Sequence, residues 1–320
     1  MPGPHAETSA CGADCVAVVH QHGESKGSKF DLSLPLTGTI STYIACPPGE
    51  TPDSMKQKKA KKVIVWAADV FGPHFLNNQL LVDWHAANGY LVLSPDFFHG
   101  EELDTFRSKP DFSLQEWIPQ WKKTVKDEQG NDIDRTSLLL KEWIKEVKKM
   151  YGDSQTKYAI IGKCLLSSVT MKSKEADLSS PHIQDSASAR LMSWSTVLAT
   201  KSLLSYDLGA IVHPAHLDDD AAFDKLKKPL YASLAEQDRH FGPERRNTLM
   251  ASLTRLSTPE APDGMSGEVA GTSGYDYMVQ VFSGVMHGFG TRGDMSIERN
   301  RWAKETSAKA CRDWFDRFLV

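Results

Sequence analysis

Three residues of this chain are of the types that together make and use a nucleophile: Cys164, Asp238 and His287. A thiol on a strand-to-helix turn lies near backbone N–H groups, which lower its pKa and can hold an oxyanion. A histidine must then take the proton or stabilise the thiolate. A buried carboxylate must orient that imidazole and fix its tautomer. Local sequence places each residue independently. The β-type run Tyr158–Ile161 feeds into Gly162-Lys163-Cys164. Asp238 follows PLYASLAE (229–236), and His287 follows YDYMVQVF (275–282). Taken singly, a cysteine after a strand is most often a small buried hydrophobe, and a loop Asp or His is most often a turn or surface residue. The joint placement at three strand ends favours the chemical reading. His213, in IVHPAH, also ends a strand but precedes Asp238; it reads as a structural or supporting residue.

The elements that must carry these groups alternate. TGTISTYIACP (37–47), VIVWAADV (63–70), GYLVLSPD (89–96), KYAIIG (157–162), LGAIVHP (208–214), PLYASLAE and YDYMVQVF read as strands. The runs at 63–70 and 89–96 are almost continuously apolar, as strands buried on both faces are. Residues 77–88, 136–150 and about 298–318 carry apolar residues at helical spacing, and Gly89 stops the first of these helices. Alternation of this kind predicts an α/β fold with a mostly parallel sheet covered on both faces. Chemistry in such sheets sits beyond the C-terminal strand ends. Those ends here carry Asp69, Asp96, Cys164, His213, Asp238 and His287.

Bulk composition excludes several alternatives. The 320 residues are 40% hydrophobic and 24% charged, with net charge −4, which gives no electrostatic argument for nucleic acid or an anionic membrane. The lysine run KQKKAKK (56–62) reads as a solvated loop. No apolar run reaches the roughly 18 residues of a membrane helix. The N-terminus lacks a basic region followed by an apolar one, so the expectation is a soluble cytoplasmic protein. The five cysteines are scattered and odd in number, as reduced thiols are. Cys11, Cys15, His20 and His22 lack a second ligand pair, so no metal site and no cofactor is assigned. Residues 1–35 read as a flexible tail. Residues 36–320 read as one domain, interrupted by irregular insertions at 165–193 and 254–274.

The motifs DVFG, PDFF, IIGKC, AEQD and SGVMHGF, in this order within 63–104, 160–164, 209–217, 227–246 and 281–318, resemble the dienelactone hydrolase family, above all its fungal members. The order Cys…Asp…His is also that of the α/β-hydrolase triad. The resemblance implies an α/β-hydrolase fold, a Cys164–Asp238–His287 triad, and opening of a lactone or small activated ester through a thioester acyl-enzyme. It implies an oxyanion hole from the backbone N–H groups of Val70 and Leu165, and substrate contacts from Asp69, Phe71 and Arg292. It implies a monomer acting on a small molecule.

The elbow departs from the family pattern. Gly162 keeps the first glycine, but Leu166 and Ser167 replace a pair of small residues, and a branched side chain crowds a turn built on close backbone approach. Removing 165–193 in thought joins Cys164 to Trp194 and Ser195 and restores the family rhythm. That serine-rich stretch therefore reads as an insertion, from a translated intron or gene-model error, or else as a lid-like loop. As written it is expected to impair catalysis. The competing reading is a non-catalytic protein of the same fold that binds a small ligand or partner chain. Asp69 stands where bacterial members have the longer Glu, and Arg292 follows His287 one residue later than in their pattern.

Overall fold

A computed structural model describes residues 19–113, 117, 124–164, 206–215, 223, 226, 228–257 and 276–320. In chain order these form β1 (Ser28–Leu34), β2 (Gly38–Ala45), α1 (Pro52–Lys58), β3 (Lys62–Ala67), α2 (Leu76–Ala87), β4 (Leu91–Pro95) and α3 (Leu103–Phe106). A small hairpin, β5 (Thr124–Lys126) and β6 (Asp132–Asp134), leads into α4 (Arg135–Tyr151) and β7 (Lys157–Lys163). Then come β8 (Leu208–Val212), β9 (Leu230–Gln237), α5 (Pro243–Ser257), β10 (Tyr277–Met286), α6 (Phe289–Arg292) and α7 (Glu298–Phe318).

The main sheet runs β1-β2-β4-β3-β7-β8-β9-β10. β1 and β2 pair antiparallel, β2 meets β4 antiparallel, and every later pair is parallel. Alternation along each strand splits the core. Val63, Val65 and Ala67 join Leu91, Leu93 and Ile160 under Leu139, Trp143 and Val147 of α4. Ile64, Trp66 and Ala68 join Val92, Ile161 and Val212 under Leu81 of α2 and Trp314 and Phe315 of α7. Burial of both faces is why these strands read as unbroken apolar runs.

The helices obey their local signals. Thr51 caps α1: its side chain accepts from Ser54 N, Ser54 returns the bond to Thr51 N, and Pro52 opens the helix. After α2, Gly89 takes a left-handed φ of 96° and its N–H donates to Ala86 O at 2.9 Å.

Three expectations need correction. The tail assigned to 1–35 contains β1, which pairs with β2 from Ser28↔Ile44 to Leu34↔Gly38. Phe30 and Leu32 are half-buried and Leu34 is buried, alternating with exposed Lys29, Asp31 and Ser33, so the period-2 signal is there but spans only three apolar residues. The polar break at 56–62 holds the end of α1, with Lys58 Nζ 2.8 Å from Glu50 and Lys56 Nζ 3.2 Å from Asp53. Thr254–Ser257, read as the start of a loop, complete α5. The proposed insertion at 165–193 and most of the second lie outside the described residues.

The frame around the crossover from β7 to β8 is bracketed at both ends. Tyr158 N donates to Asp207 Oδ2 at 2.8 Å, and Asp207 N to Tyr158 O at 2.7 Å. At the other end Ala215 N donates to Cys164 O at 3.0 Å. Among the described residues no helix is long and apolar enough to cross a membrane.

Candidate active site

Asp96, Cys164, His213, Asp238 and His287 each follow directly on the last residue of a strand: β4, β7, β8, β9 and β10. Asp69 lies two residues beyond β3. The parallel sheet therefore gathers all six at one end, although they are scattered from 69 to 287 in sequence.

Cys164 is 1% exposed and has φ 50°, a left-handed conformation that non-glycine residues adopt at a cost of about 1–2 kcal/mol. Such strain, held by the Ala215 N–H bond behind it, marks a sharp elbow. His287 Nε2 lies 3.1 Å from Cys164 Sγ. His287 Nδ1 lies 2.9 Å from Asp238 Oδ2, and both side chains of that pair are 1% exposed or less. The other carboxylate oxygen of Asp238 accepts from His240 N at 2.9 Å and Phe241 N at 3.3 Å, which fixes its plane. Burial alone would push the imidazole pKa down, but the thiol and Asp238 outweigh it and raise His287 to about 9. That direction fits an imidazolium held between the Cys164 sulfur and the Asp238 carboxyl group.

Two further imidazoles flank His287 edge-on, His213 with ring centroids 5.2 Å away and His240 at 4.8 Å. Burial and the surrounding cations, His287 first, push the His213 pKa well below the ordinary value, so that ring is neutral. It packs edge-on against the His287 ring.

Asp69 and Arg292 form a second buried group. Arg292 Nε donates to Asp69 Oδ2 at 3.3 Å, and Asn78 Nδ2 to Asp69 Oδ1 at 2.9 Å. The guanidinium lies 5.0 Å from the centroid of the Phe71 ring. Val70 and Phe71 share a buried cluster with Cys164. Leu165, the second expected oxyanion donor, lies outside the described residues. A cavity of about 660 Å³ opens beside His287 and Arg292, lined also by Val19, Met286, Phe289 and Ile297.

Nothing local in the sequence singles out His240, Asn78, Lys163 or Lys304, because their contacts are with side chains and carbonyls distant in the chain. It also assigned no metal ligand. The fold brings one ligand atom each from His74, Asp96 and Glu102 within 4.8 Å of one another, a donor set able to hold a small divalent cation. Asp96 already accepts from Phe98 N at 2.8 Å and Gly100 N at 2.6 Å. Burial raises both carboxyls, Glu102 to about 7.

A mostly parallel sheet with helices on both faces, carrying Cys, Asp and His in this order at the ends of β7, β9 and β10, is an α/β-hydrolase fold. A sequence profile of the Dienelactone hydrolase family matches residues 51–179. Over those residues the chain is similar to that family. It is 25% identical over 305 residues to Hydrolase pyvD of Aspergillus violaceofuscus, covering 95% of this chain and 96% of that one. It is 25% identical over 314 residues to Dienlactone hydrolase 1 of Gibberella moniliformis, covering 96% and 93%. Among solved structures, a dienelactone hydrolase candidate from Klebsiella pneumoniae subsp. pneumoniae superposes with TM-score 0.60 at 13% identity, over 91% of this chain and 99% of that one. A dienelactone hydrolase-like promiscuous phosphotriesterase from metagenomic libraries superposes with TM-score 0.54 at 12% identity, over 92% and 99%.

Proposed function

We propose that the protein hydrolyses a lactone or small activated ester by thiol chemistry at Cys164, with His287 as its proton carrier and Asp238 as the group that holds His287. The observation that carries this reading is the 3.1 Å approach of His287 Nε2 to Cys164 Sγ, with Asp238 2.9 Å behind the ring. Cys164 Sγ attacks the carbonyl carbon, and the oxyanion is received by backbone N–H groups including that of Val70. The C–O bond breaks, and the leaving oxygen takes the proton from the His287 imidazolium. In a lactone that oxygen stays tethered to the acyl chain. A water, deprotonated by His287, then attacks the thioester, releases the carboxylic acid and returns the thiolate–imidazolium pair. Asp69 and Arg292 would line the substrate's polar side and Phe71 its apolar side.

Hydrolysis of p-nitrophenyl acetate should be compared in the full chain, a form lacking 165–193, and each with Cys164→Ala. Activity that disappears with the thiol, and an acyl adduct mapped to Cys164 by mass spectrometry, support the reading. Activity that survives Cys164→Ala sinks it. Folded proteins inactive towards every ester and lactone tried point instead to a ligand-binding role.

A further inference from the structure

Lys163 and Cys164 are consecutive, and strand alternation turns their side chains to opposite faces of the sheet. Cys164 meets His287 on one side. Lys163 is 3% exposed on the other. Its Nζ donates to Gly290 O at 2.9 Å and Thr291 Oγ1 at 3.3 Å, and lies 4.5 Å from the centroid of the Trp66 ring. Lys304, on α7 and 5% exposed, donates to the next carbonyl, Thr291 O, at 3.0 Å. Two buried lysines thus grip one dipeptide of α6.

That dipeptide sits immediately beyond His287. Gly288, at φ 85°, turns the chain into α6, and a Cβ at Gly288 would lie 2.5 Å from Arg292 Nη2. Gly290 is pressed so close to the end of β8 that a Cβ there would lie 2.5 Å from Val212 Cγ1 and 3.1 Å from His213 Nδ1. His287, α6 and Arg292 are therefore one compact unit seated on the strand ends, and the Lys163 side chain links that seat to the strand that carries the thiol.

We propose that Lys163 is a positioning residue: its tether from β7 to the Gly290 carbonyl sets the approach of His287 to Cys164. Stability offers no motive for the residue. A buried cation with no carboxylate bonded to it is costly, and an apolar side chain of similar volume is usually as good or better. Burial pushes the ammonium down to about 7 despite the attraction of Asp69 and Cys311. The ionisable groups around it are Asp69 after β3, His85 on α2, His213 after β8, and Lys304 and Cys311 on α7. Residues that break a stability rule in a packed core are found at functional sites.

The proposal rests on reading Cys164 and His287 as a working pair, so its test needs no substrate. The titration of His287 is followed by NMR in the full chain labelled at histidine, in wild type and Lys163→Met. Methionine fills the space without donating. The tether predicts a fall in the His287 midpoint by about one unit, or tenfold in proton affinity, as the contacts to Cys164 and Asp238 loosen. The melting temperature should be unchanged or raised. If an ester is turned over, kcat should fall about 10–100-fold with KM within about twofold. An unchanged midpoint overturns the proposal. So does a raised one, which would report only the loss of a nearby positive charge. Lys163→Gln, neutral and shorter, is measured alongside, and decides on the same criteria if the methionine variant does not fold.

Discussion

Asp69 and Arg292 stand 223 residues apart in the chain and meet as an ion pair whose side chains are at most 2% exposed. Neither side chain has water to fall back on. Asp69→Ala should strip a carboxylate from a buried guanidinium and cost about 3–5 kcal/mol, read by urea denaturation. The double variant Asp69→Asn, Arg292→Met should lose less than Asp69→Ala alone. Equal losses would mean that Asn78, not the ion pair, is what Asp69 secures.

Asp238 should act through His287. Asp238→Asn keeps the shape but removes one of the influences that raise the imidazole pKa. A rate loss of about 10²–10⁴ is expected with the geometry retained. The pH profile carries the sign. The imidazolium is held up to about pH 9 in the native protein, so kcat/KM should decline as pH rises beyond about 9. In Asp238→Asn that alkaline limb should move to lower pH.

Stability should depend on pH through buried lysine and glutamate in opposite senses. Burial lowers Lys304 from 10.5 to about 7, with Lys163 adding to the shift, so the native state binds fewer protons than the unfolded chain between those values. Its contribution therefore improves as pH rises from about 7 to 10.5. Glu102 is raised from 4.5 to about 7, so its contribution is fullest below 4.5 and is lost as pH rises to about 7. His287 opposes the lysine between 6.5 and about 9, which makes differences from wild type the clean measurement. Lys304→Met should flatten the rise above pH 7, and Glu102→Gln the fall below it, in melts taken across the range.

Gly72 should be irreplaceable for two independent reasons. It has φ 75°, and a Cβ there would lie 2.2 Å from Glu102 Cγ. Gly72→Ala should cost about 1–3 kcal/mol by thermal melting. Adding Glu102→Ala should recover the steric part and leave the backbone part.

The sheet was legible because its signals are local. Val63–Val70 and Tyr158–Ile161 announce buried strands by composition alone, and Cys164, Asp238 and His287 are found by looking two to five residues past such runs. What stayed hidden is set by partners distant in sequence. β1 is an edge strand whose alternation rests on only three apolar residues, Phe30, Leu32 and Leu34. His74, Asp96 and Glu102 converge only because α3 folds back over the Asp69–Gly72 turn, where Leu103 N reaches Val70 O at 2.9 Å. Lys163 read as part of a motif around a cysteine. Only the packing of α6 shows which way its side chain goes.

The brackets at the two ends of the β7–β8 crossover have a consequence for how this chain can change over time. Asp207 with Tyr158, and Ala215 with Cys164, set the register of both strands from outside the segment they enclose. The stretch between can lengthen or shorten without shifting the sheet itself. A splicing variant that alters it would leave the two bracketing strands and the hydrogen bonds between them in place. Selection could then act on the length of that segment without first having to rebuild a fold.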